Sequence, residues 1–525
     1  MLQKLPLSIS SFYKIRTNGY LYVDKTSYVY DLITGHGNYF LSRPRRFGKS
    51  LLVSTLKEAL EGNKALFDGL WIANSDYQWQ KHAVILLDFS AFSNKTEQEF
   101  LEAMLNAFKL DGEKHNIATN LSSGSVGIVF QNHLVALHQK YGRVAILIDE
   151  YDSPLLHNLH NMDVATSIRS LLHTFFSIIK ANNALIDFVF ITGVSSFAKA
   201  GLFSGINNLQ VMTLDQQYAA VCGYTDQEID QNYSDYIQLW ADKEKITHED
   251  IRRKIKEWYN GYRFGTVNVP AVYNPFSVTN ALARKEFLNF WFETGTPTFL
   301  VEMLKKNRES FDPNNIAASA NLLGTFDINN IPITALMFQA GYLTITGYDS
   351  EKNRYALDWP NVEVKVSLQK YLLEALASVD AVSAENISFN IRQALEERDI
   401  AYAISLFTRL FAHVSYQLHV PQERYYHSLL QMIFITAGVK TQSECSTSHG
   451  RIDLVLHLPK IIYIVEVKFN DSAHNALAQI EERRYYEQFL GFGKPIMLLG
   501  LNFKRAPHNF EIEYQVKSLS QTALD

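Results

Sequence analysis

Cysteine is almost missing from this chain: 525 residues contain two, Cys222 and Cys445, far apart in sequence. That excludes a disulfide framework and a cysteine-based zinc site, and it fits a reducing, cytoplasmic setting. No apolar run approaches ~20 residues, so no membrane span is expected, and Met1 to Ser10 lacks a signal-peptide pattern. Excess basic charge is also absent. Lys and Arg number 49 against 54 Asp and Glu, a formal net charge of −5. A surface that binds polyanions all over is therefore excluded, and any nucleic-acid contact must come from a local basic patch. Low-complexity segments and fixed-period repeats are missing too. What the chain does hold is apolar and aromatic side chains, 47% and 13% of the total, ample for large cores in two to four globular domains.

The most informative stretch is near the C-terminus. Ile452 to His457 alternates apolar and polar residues, Ile461 to Phe469 is rich in β-branched and aromatic residues, and Leu458-Pro459-Lys460 lies between them. The pair reads as a β-hairpin with a four-residue loop, since proline suits the second position of a type I turn. Opposed residues in a hairpin have a constant index sum. Centring the turn on Pro459-Lys460 makes that sum 919, which pairs Asp453 with Glu466 at a Cβ separation of ~5 Å. Lys468 falls on the same face of the same strand. Two carboxylates at that spacing can share a divalent cation, and an adjacent ammonium can orient a water and offset developing negative charge, which is what phosphodiester hydrolysis needs. The bland alternative is a surface hairpin carrying a solvated Glu and Lys. Ile462 and Ile464 on the same face predict partial burial, where unpaired charge is costly.

The first two hundred residues alternate short apolar runs with helical patterns, an order that implies a doubly wound parallel sheet. Strands are expected at Asn38 to Ser42, Ala83 to Phe89, Val144 to Asp149 and Asp187 to Thr192. Helices are expected at Ser50 to Leu60, Glu97 to Leu110, Val126 to Tyr141 and Ala165 to Lys180. Ligands of such sheets bind beyond the carboxyl ends of the strands. There, Ser42-Arg43-Pro44-Arg45-Arg46-Phe47-Gly48-Lys49-Ser50 resembles a phosphate-binding loop: Gly48, Lys49 and Ser50 match, while Arg43 stands where the first glycine belongs. The alternative is a plain strand-to-helix turn. Asp149 and Glu150 end the third strand, where an acid can hold Mg²⁺ through water and its neighbour can act as general base. Gly193-Val-Ser195 lacks the second glycine of a nucleophile elbow, so acyl transfer is rejected.

Two sets of motifs resemble a known family. Glu423-Arg-Tyr-Tyr-His427, Glu444 before Gly450-Arg-Ile-Asp453, Val465-Glu466-Val467-Lys468 and Ala476-Leu-Ala-Gln479-Ile resemble the PD-(D/E)xK nuclease-like domain found behind a divergent AAA-type ATPase. Tyr22-Val-Asp24-Lys25-Thr26, the Arg43 to Ser50 loop, Trp258-Tyr-Asn260-Gly261-Tyr-Arg263-Phe264 and Tyr273-Asn274-Pro275-Phe276-Ser277 resemble that ATPase-like part. The resemblance implies Asp453, Glu466 and Glu423 as metal ligands, Lys468 as the catalytic lysine and Gln479 as the polar residue of the following helix. A helix-start glutamate such as Glu423 can equally serve only the helix dipole. On the ATPase side the resemblance implies Ser50 and Asp149 on Mg²⁺, Glu150 as base, Thr192 as a polar sensor, and Arg45, Arg46 and Arg263 as phosphate contacts. Those arginines can equally pair with surface acids.

The expected architecture is α/β, with an AAA-type P-loop domain over residues 1–210 and a helical lid over 211–300. A winged-helix-like module over 301–375 and a restriction-endonuclease-like domain over 376–525 follow. The winged-helix reading rests on a helix from Pro332 to Ala340 followed by a hairpin, and its helix has no basic run, which favours packing over DNA contact. Arg483-Arg484-Tyr485-Tyr486 either follows a phosphate backbone or pairs with Glu481, Glu482 and Glu487 on a solvated helix face. The expected cofactors are ATP and Mg²⁺, with Mn²⁺ as a substitute. The expected partner is nucleic acid, DNA first, with no membrane and with homo-oligomerisation open. The expected activity is nucleic-acid cleavage gated by nucleotide state, and the alternative is a non-cleaving nucleotide-dependent switch or scaffold that binds nucleic acid or protein.

Overall fold

The computed structural model describes residues 2–121, 124–159, 161–196, 202–203, 206, 209–291, 316–319, 323, 332–368, 381–412, 423–447, 450–505 and 510–519. The chain divides into two compact units, one of residues 1–296 and 316–363, the other of 297–315 and 364–525.

In the first unit, β1 (Asn38–Ser42), β2 (Ala83–Asp88), β3 (Val144–Asp149), β4 (Ile186–Gly193) and β5 (Leu209–Val211) form one parallel sheet in the order β2-β3-β4-β1-β5. The apolar runs are what allow this: β3 is buried along its whole length, as a strand covered on both faces must be. The covering helices are amphipathic. Met162–Ala181 buries Ile168, Leu171, Leu172, Phe175 and Ile179, the i, i+3, i+4 spacing of one helical face. All four expected strands and all four expected helices are present, with boundaries moved by a few residues.

Three further helices, Asp226–Glu244, His248–Tyr259 and Pro275–Arg284, enclose a separate core that includes Ile229, Tyr233, Trp240, Ile255 and Tyr259. A capping box between Thr225 and Glu228 opens the first of them, satisfying two otherwise unpaired backbone donors. Next come β6 (Ile316–Ser319), the helix Ile333–Ala340, β7 (Thr344–Asp349) and β8 (Arg354–Asp358), with the strands in the order β6-β8-β7. This is the helix-then-hairpin arrangement expected of a winged-helix-like module.

The second unit has a mixed sheet of β9 (Lys440–Thr447), β10 (Gly450–His457), β11 (Ile462–Phe469), β12 (Ile496–Arg505) and β13 (Phe510–Leu519), ordered β13-β12-β11-β10-β9. Only β11 and β12 run parallel. Alternation along β11 feeds two cores: Tyr463, Val465 and Val467 face one, Ile462 and Ile464 the other. Glu466 and Lys468 continue the Ile462–Ile464 face. Gly500 pairs with Glu466 across the parallel ladder, and a side chain there would meet Ala473 O at 2.5 Å. The glycine thus lets the helix Ala473–Glu482 lie close over the acid. Among the described residues, no helix is long and apolar enough to cross a membrane.

Candidate nucleotide and metal sites

At the end of β1 the chain turns into the helix Lys49–Leu60 through Gly48, whose φ of 94° lies in the left-handed region that costs a β-carbon most. No side chain caps this helix, so its first N–H groups are offered to an anion. Lys49 is buried and its Nζ folds back on the carbonyls of Arg43 and Pro44, both at 3.0 Å. A cavity of about 480 Å³ opens over this turn, and Arg45, Arg46, Gly48, Lys49, Ser50 and Glu150 line it. Helix-terminal donors, two arginines, a lysine and a hydroxyl are a donor set that fits a nucleotide's phosphates with Mg²⁺.

Arg43 has a different task. It is fully buried, and its guanidinium donates to the carbonyls of Ser42, Thr213 and Tyr218, each at 2.9 Å, while lying 4.0 Å from the Phe264 ring centre. Burial draws its pKa down to about 10, so it stays charged at neutral pH. The residue that replaces the generic glycine is therefore not among those lining the cavity, and it clamps the segment after β5. Lys25 does the same nearby, donating to Ala220 O at 2.8 Å and pairing with Glu228 at 2.6 Å.

Parallel pairing brings Asp149 and Thr192 to adjoining strand tips, where the Thr192 hydroxyl donates to Asp149. Glu150 follows with φ 50°, and burial pushes its carboxyl up while the Lys49 ammonium pulls it back. Arg263 is not among the residues lining the cavity; its backbone N–H donates to Thr344 Oγ1 at 2.8 Å. The Arg46 guanidinium rests 4.9 Å from the Phe276 ring centre. Sequence reasoning missed Pro6, Ser8, Ile9, Ser10, His157 and Tyr224, which also line the cavity. Only Asn274-Pro275 gave a local signal: Asn274 caps the helix that presents Phe276, accepting its N–H at 2.9 Å.

In the second unit the hairpin has the expected register. Leu454 pairs with Val465 and His457 with Ile462, each summing to 919, and the loop Leu458 to Ile461 closes with a 3.0 Å bond from Leu458 N–H to Ile461 O. One step beyond that ladder stand Asp453 and Glu466. Asp453 Oδ2 accepts the Val467 N–H at 2.8 Å, and its own carbonyl meets His427 Nε2, also at 2.8 Å. Glu466, 2% exposed, takes the Lys468 ammonium at 3.3 Å and the Gln479 amide on one oxygen, Oε1. Its other oxygen, Oε2, is buried with no hydrogen-bond partner. Four of the five residues marked for this site thus converge.

The fifth, Glu423, begins the helix Glu423–Thr436 one turn ahead of His427, and its side chain lies outside the described residues. Among the described residues no group of three His, Cys, Asp or Glu gathers as a metal cage, and the carboxylates described at this site are Asp453 and Glu466. Hard oxygen donors with one buried oxygen unsatisfied fit Mg²⁺ or Mn²⁺. Arg484 forms a salt bridge with Glu487 at 3.0 Å, one of the pairings that the solvated-face alternative expects.

Burial and the neighbouring Asp453 carboxylate push Glu466 up to about 8, with Lys468 offsetting part of the rise; burial raises Asp453 as well. A carboxyl raised in the folded state favours folding below its unfolded value, and the contribution is lost as pH climbs through the folded one. In metal-free buffer the melting temperature of the wild type is therefore expected to fall between the ordinary Glu range and about pH 8. Glu466→Gln should flatten that slope. Thermal melts in chelator across the window check this, and equal slopes for both proteins would contradict it.

Residues 6–203 match the family described as "Predicted AAA-ATPase", and residues 421–513 match the "PD-(D/E)XK nuclease superfamily". A protein of Azotobacter chroococcum mcd 1, "Uncharacterized protein in vnfD 5'region", is 36% identical over 517 residues, covering 96% of this chain and 97% of that one. Among solved structures, the Aeropyrum pernix ORC1 protein in complex with DNA aligns at 11% identity and a TM-score of 0.25, covering 66% of this chain and 91% of that chain. Drosophila ORC bound to poly(dA/dT) DNA and Cdc6 aligns at 10% identity and 0.27, covering 79% of this chain and 61% of that chain. Scores this low carry no argument.

Proposed function

Because the chain belongs to the AAA-ATPase-like family and carries a C-terminal PD-(D/E)XK nuclease superfamily domain, we propose that it binds ATP in its first unit and hydrolyses phosphodiester bonds of nucleic acid in its second, with nucleotide state governing the cut. The observation that carries this reading is the meeting of Asp453, Glu466, Lys468 and Gln479, with one buried glutamate oxygen left without a protein donor.

Bound Mg²⁺ or Mn²⁺ would supply Lewis acidity and a water acidified for attack. The chain's own residues do the rest. Val467 N–H and His427 fix Asp453 at the mouth of the hairpin. Gln479 holds one oxygen of Glu466, leaving Oε2 to meet the cation. Lys468, 18% exposed, keeps positive charge where the attacked phosphate gains negative charge. Glu423 completes the ligand set in this reading. In the first unit, Lys49, Ser50 and the start of the helix Lys49–Leu60 hold the phosphates, and Arg45, Arg46 and Arg263 are offered as further phosphate cations. Asp149 serves Mg²⁺, Thr192 fixes Asp149, and Glu150 is placed to take a proton from the attacking water. DNA is the proposed substrate, in a cytoplasmic protein.

The second reading is a nucleotide-dependent switch or scaffold that binds nucleic acid or protein without cutting. Cleavage assays on DNA and on RNA, with Mg²⁺ or Mn²⁺ and with or without ATP, separate the two. Metal-dependent cutting altered by ATP is the expected result; no cutting under any condition supports the switch.

A further inference from the structure

Two buried polar side chains of the segment 332–363, Gln339 and Glu363, hydrogen-bond to distant parts of the first unit, and the function above uses neither. Gln339, in the helix after β6, accepts the backbone N–H of Ser196 at 2.7 Å, just past the β4 tip that carries Thr192. Glu363 is fully buried. Its Oε1 accepts the backbone N–H of Trp291 at 2.7 Å and its Oε2 accepts the hydroxyl of Ser277 at 2.8 Å. Trp291 in turn donates its indole N–H to the carbonyl of Arg45 at 3.0 Å, and Ser277 is the neighbour of Phe276. Arg45 and Phe276 both line the cavity. One carboxylate is thus hydrogen-bonded, through one residue on each side, to two different walls of the nucleotide site.

Its position in the chain gives this arrangement a use. Glu363 lies in a short helix over 362–368 and is the last residue of the first unit, so the chain passes directly from it into the second. A shift of Arg45 or Phe276 against bound phosphate would change the two donors that hold the start of that helix. Buried hydrogen bonds of this kind are costly to leave unmade, so such a shift has to be followed or resisted, not ignored.

We propose that Glu363 is the coupling residue between nucleotide occupancy and the second unit, acting through Trp291 on the phosphate loop and through Ser277 on the helix that carries Phe276. This rests on the ATP-binding reading of the cavity and names its means of regulation. By linkage the coupling runs both ways: whatever the second unit binds that alters the course of residues 362–368 alters affinity for nucleotide by the same factor.

The test uses the full chain and a non-hydrolysable ATP analogue with Mg²⁺. Binding is measured by titration, and amide hydrogen exchange is followed over 362–368 and onward into the second unit. In the wild type, the analogue should change exchange over 362–368 by about fivefold or more. Trp291→Phe keeps an aromatic ring but removes the donor to Arg45, and Glu363→Gln keeps the shape but replaces the carboxylate. Both should still bind the analogue, and both should lose most of the exchange response. An unchanged response in both variants overturns the proposal, as does a wild type that binds the analogue with no response over 362–368. A wild type that binds no nucleotide overturns instead the reading of the cavity on which the proposal stands.

Discussion

Lys468→Ala and Asp453→Asn are each expected to reduce metal-dependent cleavage by about 10²–10⁴-fold while leaving nucleotide affinity unchanged. The two changes remove different things. Lys468 is partly exposed and reaches one oxygen of Glu466, so its loss should leave the metal's ligands in place and take away charge stabilisation near the phosphate. Asp453→Asn retains an oxygen to accept the Val467 N–H, so the hairpin mouth should keep its shape while the negative charge goes. The lysine variant should therefore bind Mg²⁺ nearly as well as the wild type, and the asparagine variant should bind it more weakly. Single-turnover cleavage and metal titration on both proteins measure this. Wild-type cutting rates in both would remove these residues from the chemistry.

The second large effect is on stability. Arg43→Ala should cost the first unit about 3–5 kcal/mol, because a buried charged group with three acceptors is removed at once. The carbonyls of Ser42, Thr213 and Tyr218 would each lose a charged donor in a buried setting, and the face of Phe264 would lose its contact. Arg43→Gly, which restores the generic loop pattern, should be at least as harmful. Arg45→Ala, an exposed site two residues on, should change stability by only a few tenths of a kcal/mol. Thermal unfolding of the three variants decides this: a shift of several degrees for both Arg43 variants and almost none for Arg45 is expected. An Arg43→Ala protein that melts with the wild type would show that the clamp contributes nothing.

Much of this arrangement was legible in the sequence wherever the information was local. A hairpin's index sum depends only on where its turn is centred, and Pro459-Lys460 fixed that, so the Leu454–Val465 register could be stated from the residues. Continuous apolar runs announced β1 to β4 because strands buried on both faces leave no room for polar positions. What could not be read were contacts between residues far apart in the chain. Nothing near Arg43 announces Thr213 or Tyr218 as its acceptors, so an arginine in a phosphate loop reads naturally as a phosphate contact or a surface charge. His427 was quoted as part of a motif, but its bond to the Asp453 carbonyl depends on how a helix lies on a sheet. The same holds for Arg263, whose backbone N–H meets Thr344 Oγ1 at the start of a strand some eighty residues on, a contact that nothing in its motif announces. The segment Pro6 to Ser10 carries no chemical signature at all and reaches the cavity only through tertiary folding.

The inward-pointing arginine also bears on how such proteins are found. A pattern that demands glycine at the first position of the loop tests for backbone freedom there, and this chain meets the requirement differently, with Arg46 (φ 65°) and Gly48 (φ 94°) taking the left-handed conformation further along the loop. Screens built on that pattern would discard homologues of this kind as damaged. A more faithful filter would ask for arginine at that position together with an aromatic residue at the place of Phe264 to receive it.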